Sequence, residues 1–173
     1  MAEIGISQPS SLVLQYSRLQ RNYLWDVLLP DIGLAIGGLQ GLAMTQYVQG
    51  VRFGDYDIER TVMKYGPYRA NFPGLLSVGD VTITFLKPMP DFISSYFYAW
   101  KKLIVNDAGE YQSKNRYQKN IYVRFLDSTG IAINSYKLTG CFPTKFPTYD
   151  LDYDNNTVTK FSVTLAVDKI EIK

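Results

Sequence analysis

Three carboxylates at alternate positions are the first residues in this sequence whose types and spacing could do chemistry. Asp55, Asp57 and Glu59 are separated by single residues, so on a β-strand they share one face. A carboxylate pair can supply the acid and the base of glycoside hydrolysis, but such a row is more often a solvated surface. A third interpretation is that the row faces an aqueous channel inside an oligomer, where it would repel nucleic acid.

A second acidic series resembles the opening of a calcium loop. Asp150, Asp152 and Asp154 occupy alternate positions, as calcium ligands do in a twelve-residue loop. The sixth position is Asn155 instead of glycine, however, and the twelfth is Phe161 instead of a bidentate glutamate. The sequence therefore favours a strand with outward carboxylates that enters an Asn-Asn turn, and no metal site is predicted.

The remaining sources of reactivity are few. The chain has no histidine, which excludes histidine-dependent nucleophiles and imidazole metal ligands. Its one cysteine, Cys141, cannot form an intramolecular disulfide and is predicted to be a buried thiol; the alternative is a crosslink between subunits, which a reducing cytoplasm would oppose. The glycines of residues 33–41 match neither the dinucleotide nor the phosphate-loop spacing. We predict no catalytic residue, no cofactor and no enzymatic activity.

Length and charge are those of one ordinary domain. The 173 residues carry 18 basic and 16 acidic side chains, a net charge of +2, so phosphate-backbone binding is not the expected main role. The densest basic cluster is predicted to be a solvated surface beside a loop, with a partner contact as the alternative. It comprises Lys101, Lys102, Lys114, Arg116 and Lys119. The N-terminal residues do not resemble a signal peptide, and residues 28–44 are too interrupted for a membrane span.

The elements that must position these residues are mostly strands. Period-two alternation predicts strands over residues 22–29, 46–53, 55–62, 80–87, 120–127 and 133–142. Residues 127–130 suit a hairpin turn, and residues 65–79, which contain Pro67 and Pro73, are predicted to be irregular. Apolar residues at helical spacing predict one flanking helix over about residues 91–105, with Asp91 as its cap. The expected fold is a mainly β, antiparallel β-sandwich or barrel.

The C-terminal region predicts one long strand over residues 157–170. Phe161, Val163 and Leu165 would lie on an apolar face, and Lys160 and Ser162 on the other. A terminal strand of this length with a bare edge would promote aggregation of a monomer. This pattern indicates assembly with other copies.

Three blocks in order resemble the tail tube proteins of contractile-tailed bacteriophages, a family similar in fold to the type VI secretion tube. The first block is the strand Asn22-Tyr-Leu-Trp-Asp-Val, and the second is Phe72, Pro73 and Gly74, followed by a Thr-rich strand and a helix that carries Trp100. The third is the ending that runs from Gly-Cys-Phe-Pro to the final strand. The resemblance spans roughly residues 20–170, and a single domain over 1–173 is expected, with an N-terminal segment over 1–20.

The resemblance implies a structural virion protein. Six subunits would form a ring whose sheets join into a continuous barrel, and the rings would stack into the hollow inner tube of a contractile tail, the conduit for DNA ejection. By the same resemblance, residues 50–72 form a hairpin region that contacts the next ring, with Tyr56, Tyr65 and Tyr68 as candidate contacts and Asp55, Asp57 and Glu59 as candidate lumen-facing residues.

The implied partners follow from that architecture. They are other copies of the chain, the tail sheath, the baseplate and the tail terminator, with the tape measure protein and DNA passing through the lumen without sequence-specific binding. The implied location is the virion tail, assembled in the bacterial cytoplasm, with no membrane partner. Two alternatives stay open: an initiator or adaptor ring of the same fold at the baseplate, and a ligand-binding β-barrel or an enzyme of another type.

Overall fold

A computed structural model describes residues 24–32, 40–146 and 158–173 of the chain. These residues are mainly antiparallel β-structure, with one long helix. The strands are β1 (Trp25–Leu28), β2 (Val48–Arg52), β3 (Tyr56–Tyr65), β4 (Tyr68–Val78), β5 (Val81–Leu86), β6 (Lys119–Leu126), β7 (Ala132–Lys145), β8 (Lys160–Ala166) and β9 (Lys169–Ile172). The helices are α1 (Gln40–Thr45), α2 (Phe92–Ile104) and α3 (Lys114–Tyr117). The predicted fold class, mainly β and antiparallel with one flanking helix, is confirmed.

The strands form one large sheet and one separate hairpin. The large sheet has the order β1-β6-β7-β8-β5-β2, and β9 also pairs with β7. The long strand β7 joins its two parts, because residues up to Cys141 pair with β6 and β9 whereas Phe142 and Pro143 pair with β8. Strands β3 and β4 pair only with each other within the described chain.

The core lies where α2 packs on the alternating apolar face of the sheet. In β5 every second side chain is buried, beginning at Val81, and in β8 the buried side chains are Phe161, Val163 and Leu165. The rings of Phe85 and Phe161 stack at 5.5 Å between centroids, and Phe85 also meets the α2 ring of Phe97 edge-on. The apolar face predicted for the C-terminal strand is therefore confirmed, since these residues are removed from water together.

Helix α2 begins and ends where the sequence predicts. The backbone amide of Ser94 donates to the Asp91 carboxylate at 3.1 Å, which satisfies one of the amides that a helix leaves unpaired at its N-terminus. Trp100 is fully buried, and its indole nitrogen donates to the carbonyl of Tyr117 at 2.8 Å. Tyr96 donates its hydroxyl to the Pro30 carbonyl at 2.6 Å, and burial raises the pKa of that hydroxyl far above its usual range. The helix is thus fixed to the sheet by both packing and hydrogen bonds.

The predicted turn between β6 and β7 is also confirmed. The Asp127 carboxylate accepts hydrogen bonds from the backbone amides of Thr129 and Ile131 at 2.8 and 2.9 Å. The Thr129 hydroxyl and these amides lower the pKa of Asp127, because they stabilise its charged form. Gly130 completes the turn with a φ of +84°, which a residue with a side chain rarely adopts.

The C-terminal region is two strands and not the single strand predicted over 157–170. Strand β8 ends at Ala166, and β9 begins at Lys169 and pairs with a different part of β7. Asp168 lies at this break and accepts hydrogen bonds from Lys114 at 3.0 Å and from Gln118 at 2.7 Å. Gly140 faces it with a φ of +72°, and a Cβ at Gly140 would collide with the Asp168 carboxylate. The prediction was wrong because these contacts come from distant segments of the chain.

The contacts of Asp168 make stability depend on pH. Hydrogen bonds from Lys114 and Gln118 lower the pKa of Asp168 in the folded chain. The stabilisation is therefore complete above the unfolded-state pKa of about 3.9 and is lost as the pH falls through the lower folded-state pKa. We expect the stability difference between wild type and Asp168→Asn to be constant above about pH 5 and to shrink in more acidic solution.

Urea unfolding at a series of pH values, at protein concentrations that keep the chain monomeric, measures this difference. Asp107→Asn is a matched control, because Asp107 also pairs with a lysine, Lys102 at 3.0 Å, but its side chain is 79% exposed. A pH-independent difference for Asp168→Asn would contradict the role of the carboxylate charge.

Cys141 lies in β7 and is fully buried, as predicted. Burial raises the pKa of its thiol to about 12, so the thiolate that reacts with labelling reagents is scarce at neutral pH.

Candidate assembly surface

The separate hairpin of β3 and β4 is the candidate functional site. Its strands pair from Tyr56 opposite Val78 to Tyr65 opposite Tyr68, and the turn between them contains Gly66, whose φ is +56°. The prediction that residues 65–79 are irregular is wrong, because Tyr68–Val78 form β4. Pro73 is tolerated because β4 has no second neighbour in the described chain that would need its missing amide proton.

A β-bulge divides the hairpin into two parts. Between the pairs Ile58–Leu76 and Arg60–Pro73 the register advances two residues on β3 and three on β4, so the additional residue belongs to β4. Gly74 lies in the bulge, and a Cβ there would come within 2.9 Å of the Glu59 carbonyl oxygen. A glycine is therefore required for this close approach. We call residues 56–59 and 74–78 the hairpin base, and residues 60–73 the hairpin tip.

Nearly every hairpin residue is exposed, on both faces. All ten residues of β3 are exposed, and nine of the eleven in β4. The exposed fraction lies between 41% and 76% for the large apolar side chains Tyr56, Ile58, Val62, Met63, Tyr65, Tyr68, Phe72, Leu75 and Leu76. An isolated two-stranded hairpin is marginally stable in water, and a large apolar patch on a monomer marks an interaction site. The hairpin therefore has the properties of a surface that another molecule covers.

The two faces differ in character, and the difference reverses along the hairpin. Because β3 alternates without interruption, Asp57, Glu59, Met63 and Tyr65 share one face, which we call the front face. Tyr56, Ile58, Arg60, Val62 and Lys64 share the back face. On the front face the base carries Asp57 and Glu59 together with the exposed Leu75, and the tip is apolar. On the back face the base is apolar and the tip is mainly basic.

Direct contacts support this assignment of faces. The Tyr65 hydroxyl lies 3.8 Å from the Met63 sulfur, which places both side chains on the front face. Their partners across the strand are Tyr68 and Ala70, and Phe72 follows on the same face opposite Thr61. We call Met63, Tyr65, Tyr68 and Phe72 the tip patch.

The hairpin base is fixed to the rest of the subunit. The Tyr56 hydroxyl donates to the carbonyl of Ile170 in β9 at 2.9 Å, and the amide of Gly79 donates to the carbonyl of Asp55 at 2.9 Å. The second bond closes the two strands where they leave the sheet. The tip has no comparable contact with the body among the interactions of the described residues, so the base sets the direction in which the tip projects.

The structure places Asp57 and Glu59 in the hairpin base and Asp55 directly before it. Asp55, Asp57 and Glu59 are all exposed, and they make no ion pair within the described part of the chain. The described residues also contain no cluster of three or more acidic or thiol ligands that could hold a metal ion. The calcium-like series over 150–154 lies outside the described residues. The acidic row remains a candidate lumen surface, since no contact within one subunit tests its surroundings.

The other predicted residues have different surroundings. Tyr65 and Tyr68 are 63% and 76% exposed at the tip, and Tyr56 is 53% exposed although its hydroxyl is bonded within the subunit. The block of Phe72, Pro73 and Gly74 forms the part of β4 that enters the bulge, whereas Trp100 belongs to the core. Sequence reasoning missed Met63 and the fact that the apolar side chains of the tip patch share one face. The signal was present, because the apolar Met63 and Tyr65 alternate with the basic Lys64.

The predicted basic cluster is a surface with several internal contacts. Lys102 and Lys114 pair with Asp107 and Asp168, and Arg116 donates to Gln112 at 3.0 Å. The ammonium of Lys101 lies 5.8 Å from the ring centroid of Tyr98. No helix in the described ranges is long and apolar enough to cross a membrane.

Comparisons with known proteins give a family match and several similar solved structures. The model of the family described as T4-like virus tail tube protein gp19 matches residues 30–171. No curated protein sequence matches the chain. Among solved structures, a chain in the sheath-tube complex of the PVC extracellular contractile injection system, in its extended state, has a TM-score of 0.68 at 15% identity and covers 96% of this chain and 98% of its own.

Two other similar structures come from the anti-feeding prophage. A chain of its tube-terminating cap has a TM-score of 0.66 at 17% identity, with 90% of this chain and 91% of that chain covered. A chain of its baseplate has a TM-score of 0.58 at 12% identity, with 86% and 90% covered. At these identities the similarity shows a shared fold.

Proposed function

This chain belongs to the T4-like virus tail tube protein gp19 family, and from that membership we propose that it is the repeating subunit of a hollow tail tube. Six copies form a ring, and the rings stack into the inner tube of a contractile phage tail through which DNA is ejected. The whole chain, residues 1–173, acts as one structural domain without enzymatic activity. The observation that carries the proposal is the hairpin of β3 and β4, which exposes apolar side chains on both faces.

One strand edge of the large sheet supports ring formation. Among the described residues, β2 pairs with no strand other than β5. An edge of this kind promotes association with other chains, and closure of a sheet across subunits removes it. In the proposed ring the β2 edge meets the sheet of a neighbouring copy. The hairpin, which includes the predicted contact region 50–72 and extends to Val78, reaches the next ring.

The partners follow from the position of such a tube. We propose that a contractile sheath surrounds it, that a baseplate and a terminator close its two ends, and that tape measure protein and DNA occupy its lumen. Tube, sheath, terminator and baseplate complexes are all found among the similar structures, which supports this set. Assembly takes place in the bacterial cytoplasm, and the mature location is the virion tail.

A second candidate is an initiator or adaptor ring at the baseplate, which the similarity to a baseplate chain favours. Negative-stain electron microscopy of the purified protein distinguishes the two functions. Long hollow filaments are expected for the tube subunit, and isolated rings for the baseplate ring. A chain that stays monomeric at high concentration would contradict both.

The acidic row is proposed to line the lumen. In Asp57→Cys, the introduced thiol is the one that reacts, because Cys141 is buried. In assembled tubes we expect a small maleimide to label Asp57→Cys. A maleimide attached to a large polymer is expected to label it at least about tenfold more slowly in tubes than in free subunits, because a lumen excludes the polymer. Mass spectrometry after timed quenching measures both rates.

Ser128→Cys is a matched control for a solvent-exposed position, in the turn between β6 and β7. Equal labelling of Asp57→Cys by the large reagent in tubes and in subunits would contradict a lumen position. Protection from both reagents would place the acidic row in a contact between subunits instead.

A further inference from the structure

The tip patch and the paired apolar side chains of the hairpin base lie on opposite faces. The tip patch is on the front face, whereas Ile58 and Leu76 are paired on the back face of the base and are 59% and 56% exposed. We call Ile58 and Leu76 the base patch. One copy cannot bring these two patches together, because Met63 and Ile58 are five residues apart on one extended strand, about 16 Å, and point to opposite sides.

We propose that the tip patch of one subunit docks on the base patch of a second copy, which is displaced along the hairpin axis and oriented in the same direction. The inference rests on the proposed stacking of identical subunits and identifies the surfaces that meet. Stacked copies point the same way along a tube, so a tip that projects from one subunit reaches the base of the next. The front face of the tip then meets the back face of the base.

The charges of the hairpin favour this staggered arrangement. In it, the acids Asp57 and Glu59 lie on the uncovered front face of the base, and the cations Lys64 and Arg69 lie on the uncovered back face of the tip. Two hairpins packed front to back without a displacement would instead place Asp57 and Glu59 against the apolar back face of the neighbouring base. Burial of an unpaired carboxylate against apolar groups is strongly unfavourable. The stagger joins apolar to apolar surface and leaves these four charges in water.

The repeated contact is also directional. A front face that meets a back face is a heterologous interface, which leaves one unused copy of each surface at the ends and so propagates along a filament. The bulge at Gly74 fixes how the paired residues of the base are offset from those of the tip. Gly74 is needed there, because its close approach to Glu59 leaves no room for a side chain.

Two neighbouring substitutions test which face of the tip is used. Met63 and Val62 are 50% and 41% exposed and lie on opposite faces of β3. We expect Met63→Asp to raise the critical concentration for filament formation at least about tenfold, because the carboxylate would enter an apolar contact. Val62→Asp is expected to change it less than about threefold. Sedimentation of filaments across a concentration series measures both, and circular dichroism verifies that each variant folds.

A rescue experiment identifies the partner surface. Ile58→Lys alone is expected to impair assembly, and the double variant Met63→Asp with Ile58→Lys is expected to return the critical concentration to within about threefold of wild type, because each tip carboxylate then meets a base ammonium of the next copy. Since the two positions are distant within one chain, rescue requires contact between copies.

The outcomes separate this inference from the proposed function. If the wild type forms no filaments, the proposed tube function fails, and the tip-to-base contact fails with it. If wild-type filaments form and Met63→Asp assembles normally, or Val62→Asp is the more harmful change, or the double variant is as defective as Met63→Asp, the tip-to-base contact is overturned while the tube remains.

Discussion

Replacement of Trp100 by alanine is expected to lower the free energy of unfolding by about 3–5 kcal/mol. The indole is fully buried and stacks on Phe97 at 6.2 Å between ring centroids, so its removal leaves a cavity in the contact between α2 and the sheet. It also leaves the Tyr117 carbonyl without the donor that holds α3 to α2. Urea unfolding of the monomeric protein, followed by circular dichroism, measures the change.

Tyr98→Ala is the matched control on the same helix. Its ring is 58% exposed and lies near Lys101 and Lys102 on the solvent side. We expect a change below about 1 kcal/mol, since surface substitutions have small effects. A loss of the same size for both variants would contradict the assignment of Trp100 to the core.

The body of the subunit could be predicted because its elements obey local rules. Residues of β5 and β8 alternate between apolar and polar, and this pattern correctly indicated which side chains are buried. Helix α2 combines apolar residues at helical spacing with a capping carboxylate at Asp91, so both its existence and its N-terminus were predicted. In these segments, the local pattern and the tertiary packing require the same structure.

The hairpin could be predicted only in part, because the reasons for its second strand are not local. Pro73 and Gly74 are typical of a loop, yet in β4 the proline occupies a position without a second neighbour and the glycine accommodates a bulge. The break at Asp168 is similar, since Lys114 and Gln118 hold it from a distant segment. The shared strand face of Asp57 and Glu59 was predicted, but the faces on which the apolar side chains of tip and base lie depend on the register of β3 with β4.

Excision of residues 57–77, with a short Gly-Ser linker between Tyr56 and Val78, is expected to abolish assembly and to leave the folded body intact. The hairpin strands pair only with each other within the described chain, and all the core residues lie outside them. Asp55 and Gly79 are joined by a backbone hydrogen bond, so a short linker spans the gap. We expect the free energy of unfolding to change by less than about 1 kcal/mol, because few buried contacts are lost.

Assembly should respond in the opposite way. If the hairpin supplies the contact between rings, its loss removes the exposed apolar surface that drives stacking, and the critical concentration for filaments should rise at least about hundredfold. Rings held together by the sheets can still form, because the edge strand β2 is retained. Electron microscopy and sedimentation of the excised protein would then show isolated rings without filaments. Filaments of normal length would exclude the hairpin as the stacking element, and loss of the rings as well would mean that the hairpin also joins subunits within a ring.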